Sequence, residues 1–201
     1  MIIKLREKYG KKCSLVSING IAPKTNIPSH KMRFCEAVSC SFKIPIQLSA
    51  KNLGCQGARR NFGYYRNEEQ LIKNLADSNG VPELFASEAL TEIPFFKKAV
   101  KEINLGITEE LESYIKPELL ILYLDPFQIN KLIADLARIE VKPYFFPYTF
   151  LSVCGGILTN AYFNQHVSLS VGCAESRRYG GVKNDEIVVG MPIKIVKQLL
   201  S

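Results

Sequence analysis

The chain has no tryptophan, only two histidines and only three methionines among its 201 residues. It also lacks any apolar run near the ~20 residues that cross a bilayer. The longest such stretch, around Leu119–Leu124, has only the length of a strand. The opening Met1-Ile2-Ile3-Lys4 shows neither the long apolar segment nor the small-residue cleavage site of a secretory signal. These absences exclude a membrane partner and lead us to expect a cytoplasmic location. A P-loop, a dinucleotide glycine fingerprint and a G-x-S-x-G elbow are missing as well, which removes nucleotide and serine-hydrolase chemistry by those routes. The net charge is +7, but no block of five Lys or Arg occurs and no recognition-helix or RNP-type motif is visible. Charge alone does not make nucleic acid an expected partner; excess positive charge also suits a bound anionic group.

What the chain does have is six cysteines. In a reducing compartment a cysteine pattern points to metal or catalysis rather than disulfides. A single cysteine would be read as a small buried hydrophobe; the pattern, not the count, argues for more. Composition is that of an ordinary globular protein, with 47% hydrophobic and 22% charged residues, so residues 1–201 are expected to form one domain.

Strands are expected at Cys13–Ile18, Lys43–Ser49, Val167–Val171 and Glu186–Val189, and Val141–Pro147 reads as extended. Pro45 puts the second strand at an edge or a strand start. The unbroken apolar run Glu118–Leu124 suits a central strand covered on both faces. Helices are expected at Arg33–Phe42, Cys55–Gly63, Asn67–Asn79, Asp125–Ile139, Leu151–Phe163 and Pro192–Leu200. Asn67 is a cap residue ahead of Glu68 and Glu69, and Asp125-Pro126 is a strong helix start. Ile21–His30 reads as a loop. Val81–Glu118, cut by Pro82, Pro94, Gly106 and Pro117, reads as helical fragments forming either a lid or a plain connecting layer. Alternating strands and helices make the class α/β.

An internal echo carries the chemistry. Gly54-Cys55-Gln56-Gly57-Ala58-Arg59-Arg60-Asn61-Phe62-Gly63 and Gly172-Cys173-Ala174-Glu175-Ser176-Arg177-Arg178-Tyr179-Gly180-Gly181 share the pattern G-C-x-x-x-R-R-x-x-G. Each follows a short strand. Cys35 precedes Cys55 by 20 residues and Cys154 precedes Cys173 by 19. The expectation is two related half-motifs of helix, strand and cysteine turn (about 12–66 and 118–201) around a shared core. A helical insertion, about 67–117, lies between them.

Packed about a pseudo-two-fold axis, the halves would bring Cys35, Cys55, Cys154 and Cys173 together. Four thiolates bind zinc or an iron–sulfur cluster. Zinc sites usually draw ligands from tight Cys-x-x-Cys pairs, which are absent here, so dispersed ligands favour a larger cluster. Gly54, Gly155, Gly156 and Gly172 would let backbone approach it. Arg59, Arg60, Arg177 and Arg178 would offset its charge or hold an anion beside it, against a plain reading as surface ion-pairing residues. Cys40 replaces Cys35 if its helix faces the other way; Cys13 and Cys40 otherwise read as packed thiols. His166 lies close enough in sequence to Cys173 to be a ligand or proton donor, or a structural residue. Asp185-Glu186 fits a base as well as a turn, and His30 reads as exposed.

At Arg33–Val38, Leu53–Arg59, Leu119–Ala137, Cys173–Gly181 and Asp185–Pro192 the sequence resembles the DUF169 family, archaeal and bacterial proteins without an established activity. The resemblance implies cysteines at positions 35, 55, 154 and 173 and leaves Cys40 outside the pattern. The first functional expectation is therefore a [4Fe-4S] protein acting in electron transfer or in assembly or activation of a metallocofactor. A protein redox or assembly partner, and a homo-oligomer, accompany that expectation. A thiol enzyme using Cys55 or Cys173 on a small anionic substrate is the second. A zinc-stabilised or metal-free interaction module is the third.

Overall fold

The computed structural model describes residues 1–20, 25–106 and 116–201. The start of the expected loop at Ile21–His30, and positions 107–115 of the middle stretch, lie outside the described residues. The elements run α1 (Ile2–Tyr9), β1 (Cys13–Ile18), α2 (Phe34–Ser41), β2 (Ile46–Leu48), α3 (Gln56–Asn61), α4 (Glu68–Asn79), α5 (Glu83–Glu92) and β3 (Ile103–Gly106). They continue with β4 (Leu119–Leu124), α6 (Pro126–Arg138), β5 (Tyr144–Phe145), a π-helix (Ser152–Thr159) that runs into α7 (Asn160–Asn164), β6 (Ser168–Ser170), α8 (Ala174–Arg178), β7 (Ile187–Pro192) and α9 (Ile193–Leu200). The class is α/β, as expected.

The strands form one seven-stranded mixed sheet in the order β2-β3-β1-β4-β7-β6-β5. The β5–β6 pair is parallel and the other pairs are antiparallel. β4 is central, and all six of its residues are buried. Its side chains alternate between two cores, as a strand of period two must. Leu119, Ile121 and Tyr123 join α2, α3 and the π-helix on one face. Leu120, Leu122 and Leu124 join α1, α6 and α9 on the other. Burial on both sides is why its sequence is continuously apolar. The helix starts read from sequence also hold. Asn67 accepts from the Gln70 amide at 3.1 Å, and Asp125 from the Gln128 amide at 2.8 Å within a reciprocal capping box.

The middle stretch differs from the all-helical expectation. It holds α4 and α5, but it also supplies β3, which pairs with both β2 and β1 inside the sheet. β3 is only four residues, Ile-Asn-Leu-Gly; Ile103 and Leu105 alternate with Asn104 and Gly106, but the run is too short to mark a strand by itself. Long-range pairing, not local pattern, makes it a strand. Pro45 does precede an edge strand, because β2 ends the sheet.

On the face away from the cysteine turns, α1 is fastened to α6. Tyr9 donates to the Asp135 carboxylate at 2.8 Å, with Lys8 at 3.2 Å and Arg138 at 2.6 Å. Burial pushes the Asp135 carboxyl up, but these hydrogen bonds and positive charges outweigh it and hold it below its ordinary 3.8. A lowered carboxyl contributes stability above its unfolded value, and loses it as pH falls through the folded one. Asp135→Asn should therefore cost about 1 kcal/mol at pH 7. Denaturant melts at falling pH should show wild type and variant converging below pH ~4.

Candidate metal centre

The four cysteines of the echo reach one place by four different local devices. Cys35 is the second residue of α2, behind the N-cap Arg33. Cys55 is the N-cap of α3 and Cys173 the N-cap of α8. Cys154 rides on the π-helix, which begins at Leu151 in a left-handed conformation (φ 52°). The Leu151 carbonyl accepts from the amides of both Gly155 and Gly156, at 2.9 and 3.1 Å. The wider turn brings glycines where neighbours press closest. A methyl group at Gly156 would lie 2.2 Å from the Phe146 ring, and one at Gly155 would lie 2.9 Å from Asn61 Nδ2. π-Helical turns occur often at functional sites.

All four cysteines line a single cavity of about 400 Å³. Its opposite wall is α4, which presents Leu71, Asn74, Leu75 and Ser78. Cys35 and Cys154 are buried, and Cys55 and Cys173 are half-buried. Cys13 and Cys40 do not line it. Cys13 packs in the core on the other face of the sheet, where burial pushes its thiol up to about 11. Cys40 follows Cys35 on α2 by five residues, a rotation of about 140° on an α-helix, so the two face different ways.

Burial dominates the electrostatics. It pushes the Cys35 thiol well up, and Cys173 and Cys55 add to the rise; the Glu36 amide and Arg33 oppose it. Cys154 is raised strongly by burial and then by Cys55, Cys173 and Cys35, against a hydrogen bond from Asn61. Cys55 is raised by burial too, against amides of Phe34 and Ala58 placed to donate to its sulfur. Burial thus favours the protonated thiol at Cys35, Cys55 and Cys154. Among the described residues, no three His, Cys, Asp or Glu side chains stand close enough to hold one metal ion. A single zinc holds its sulfurs at ~2.3 Å, whereas the sulfurs around a polynuclear cluster bind different irons and stand further apart.

The arginines divide. Arg59 donates to the carbonyls of Ala50 and Leu53, and Arg177 to those of Lys183 and Val171. Each therefore ties down the loop beside its cysteine turn. Arg178 is exposed and lies 5.2 Å from the Tyr179 ring. Arg60 is buried and pairs with Glu68 at 3.0 Å. It also donates to Asn61 Oδ1, and Asn61 donates to Cys154 Sγ at 3.5 Å. Among the echo arginines, Arg60 is thus the one connected to a cysteine. Gly54 lines the cavity, and Gly172 takes a left-handed φ of 85° at the turn before Cys173.

Other sequence candidates lie elsewhere. His166 packs on Tyr144, with ring centroids 5.1 Å apart, and does not line the cavity. His30 is exposed. Glu186 pairs with Lys12 at 2.7 Å and accepts from the Lys183 amide, which matches the turn reading rather than a free base.

Three contributors were not visible as such in the sequence. Arg33 lines the cavity, pairs with Glu175 at 2.6 Å and lies 4.7 Å from the Tyr179 ring, so it bridges α2 and α8 across the site. Asn61 carries no motif beyond its place in the echo. Gly180 lies against Cys35, and a methyl group there would meet Cys35 Cβ at 2.8 Å and the Ser176 carbonyl at 2.7 Å. The only signal for Gly180 is that it stands beside Gly181 in a helix-ending pair.

A family model, DUF169, described as "Uncharacterised ArCR", matches residues 4–201. No curated protein and no solved structure matches the chain. No helix among the described residues is long and apolar enough to cross a membrane.

Gly180→Ala must displace backbone at Ser176 or α2 at Cys35. It should destabilise the fold by about 1–3 kcal/mol in a denaturant melt. Because the strain falls on Cys35, the same variant should also take up less metal than wild type in anaerobic loading followed by elemental analysis.

Proposed function

We propose that this chain, which belongs to the DUF169 family, holds an iron–sulfur cluster of [4Fe-4S] type on Cys35, Cys55, Cys154 and Cys173. The carrying observation is that four thiols, spread over most of the chain, line one cavity of about 400 Å³. The cavity is far roomier than one metal ion needs, and its ligands come from four separate elements, which suits a polynuclear core approached from several sides. The Asn61 side chain donates to Cys154 sulfur, and Arg33, paired with Glu175, lines the cavity. Such contacts tune thiolate-bound clusters.

The role we assign is electron transfer, or assembly or activation of a metallocofactor, with a protein partner and in the reducing cytoplasm, where free thiols persist. A nucleophilic thiol is the weaker reading. Burial works against the thiolate at Cys35, Cys55 and Cys154.

Anaerobic loading with iron and sulfide should give brown protein with about four of each per chain. Cys→Ser at positions 35, 55, 154 or 173 should remove more than half of the iron, whereas Cys13→Ser and Cys40→Ser should retain it. Elemental analysis finding zinc, or no metal after anaerobic loading, would overturn the proposal.

A further inference from the structure

α4 turns Leu71, Asn74, Leu75 and Ser78 toward the cavity, at the i, i+3, i+4, i+7 spacing of one helix face. A face that only sealed a core would be apolar along its length, and close packing would not leave about 400 Å³ open beside it. Here two leucines share the face with an amide and a hydroxyl. Phe150 extends the apolar lining, and its ring is held in place by Tyr148 and Phe85, with centroids 5.9 and 6.1 Å away. Leu71 and Phe150 are 2% and 3% exposed, so this part of the wall is preformed.

The polar groups on the same lining carry no net charge. Gln56 Oε1 accepts from Asn74 Nδ2 at 2.8 Å, and Asn74 Oδ1 accepts from Gln70 at 2.9 Å, which fixes both amides. Gln56 Nε2 is then a donor on the exposed rim with no partner among the described residues. Among those residues only two charged side chains line the cavity, Arg33 and Glu175, and they pair with each other at 2.6 Å.

We propose that the α4 side of this cavity binds an uncharged small molecule, its apolar body against Leu71, Leu75 and Phe150 and a carbonyl oxygen accepting from Gln56 Nε2. The volume falls in the ~300–1,000 Å³ range of small-molecule sites, which are mostly apolar with a few placed polar groups. A charged ligand would give up its hydration and meet no unpaired countercharge. The proposal goes beyond the cluster reading and does not depend on it, because the chain alone forms this wall. With metal on the thiols, a ligand on α4 lies beside the centre.

The test titrates the full chain, metal-free, reduced and isotope-labelled, with three probes of one shape: benzamide, benzoate and benzamidinium. Benzamide should shift the backbone amide resonances of residues 71–78 and 150–154 saturably. The two charged probes should bind on the order of tenfold more weakly. Ser78→Trp, a change at an exposed position that fills the cavity from α4, should keep a dispersed spectrum and lose the benzamide shifts. Gln56→Leu, which removes only the rim donor, should weaken benzamide roughly fivefold. No saturable shift at these residues, a charged probe bound as tightly as benzamide, shifts that persist in Ser78→Trp, or unchanged affinity in Gln56→Leu would each overturn the proposal. Iron and sulfide uptake is measured on a separate sample. A chain that loads iron and ignores benzamide keeps the cluster and loses this site; one that binds benzamide and takes up no iron does the reverse.

Discussion

The site depends on one constraint: chemically similar thiols must reach a common point on one face of a sheet although the chain between them covers most of its length. The sheet makes this possible. β4 is buried on both faces, so it fixes a rigid plane with one core above and one below. α2, α3 and the π-helix pack on one of those faces, and Cys35, Cys55 and Cys154 lie at their starts or turns.

The cysteine turns show how local chemistry serves that arrangement. Cys55 and Cys173 both occupy N-caps of helices too short to hold their position unaided. In each, the arginine four residues later reaches back to carbonyls of the adjoining loop, and the closing Gly63 or Gly181 turns with a positive φ. The repeat therefore has a structural meaning even where its arginines do not face the cavity. Upstream the two stretches differ, because Cys35 rides on an α-helix and Cys154 on a π-helix.

Much of this was legible because it is local. Asp125-Pro126 and Asn67 start helices through their own side chains, and Leu119–Leu124 announces a doubly covered strand by its composition. The gathering of Cys35, Cys55, Cys154 and Cys173 at one cavity was also legible, because a repeated spacing survives in the sequence whatever the fold does with it. β3 was not legible, since Ile103–Gly106 is a strand only by virtue of its partners β1 and β2. Nor was the π-helix, whose wide turn answers to the approach of Phe146 and Asn61. Eight residues with no cap side chain give α1 little local signal; its hold on α6 comes through Tyr9 and Asp135.

By itself the sequence determined the cysteines and their spacing, and the apolar runs that must be buried. Tertiary structure alone decided which charges and donors face them. Arg33 lines the cavity and Asn61 donates to Cys154, while Arg59 and Arg177 bond to carbonyls and Arg178 is exposed; the buried Tyr123 hydroxyl has no hydrogen-bond partner among the described residues. The reason is physical. Residue type and spacing are properties of a short stretch of chain, whereas the direction of a long polar side chain is set by whichever distant groups folding places within its reach.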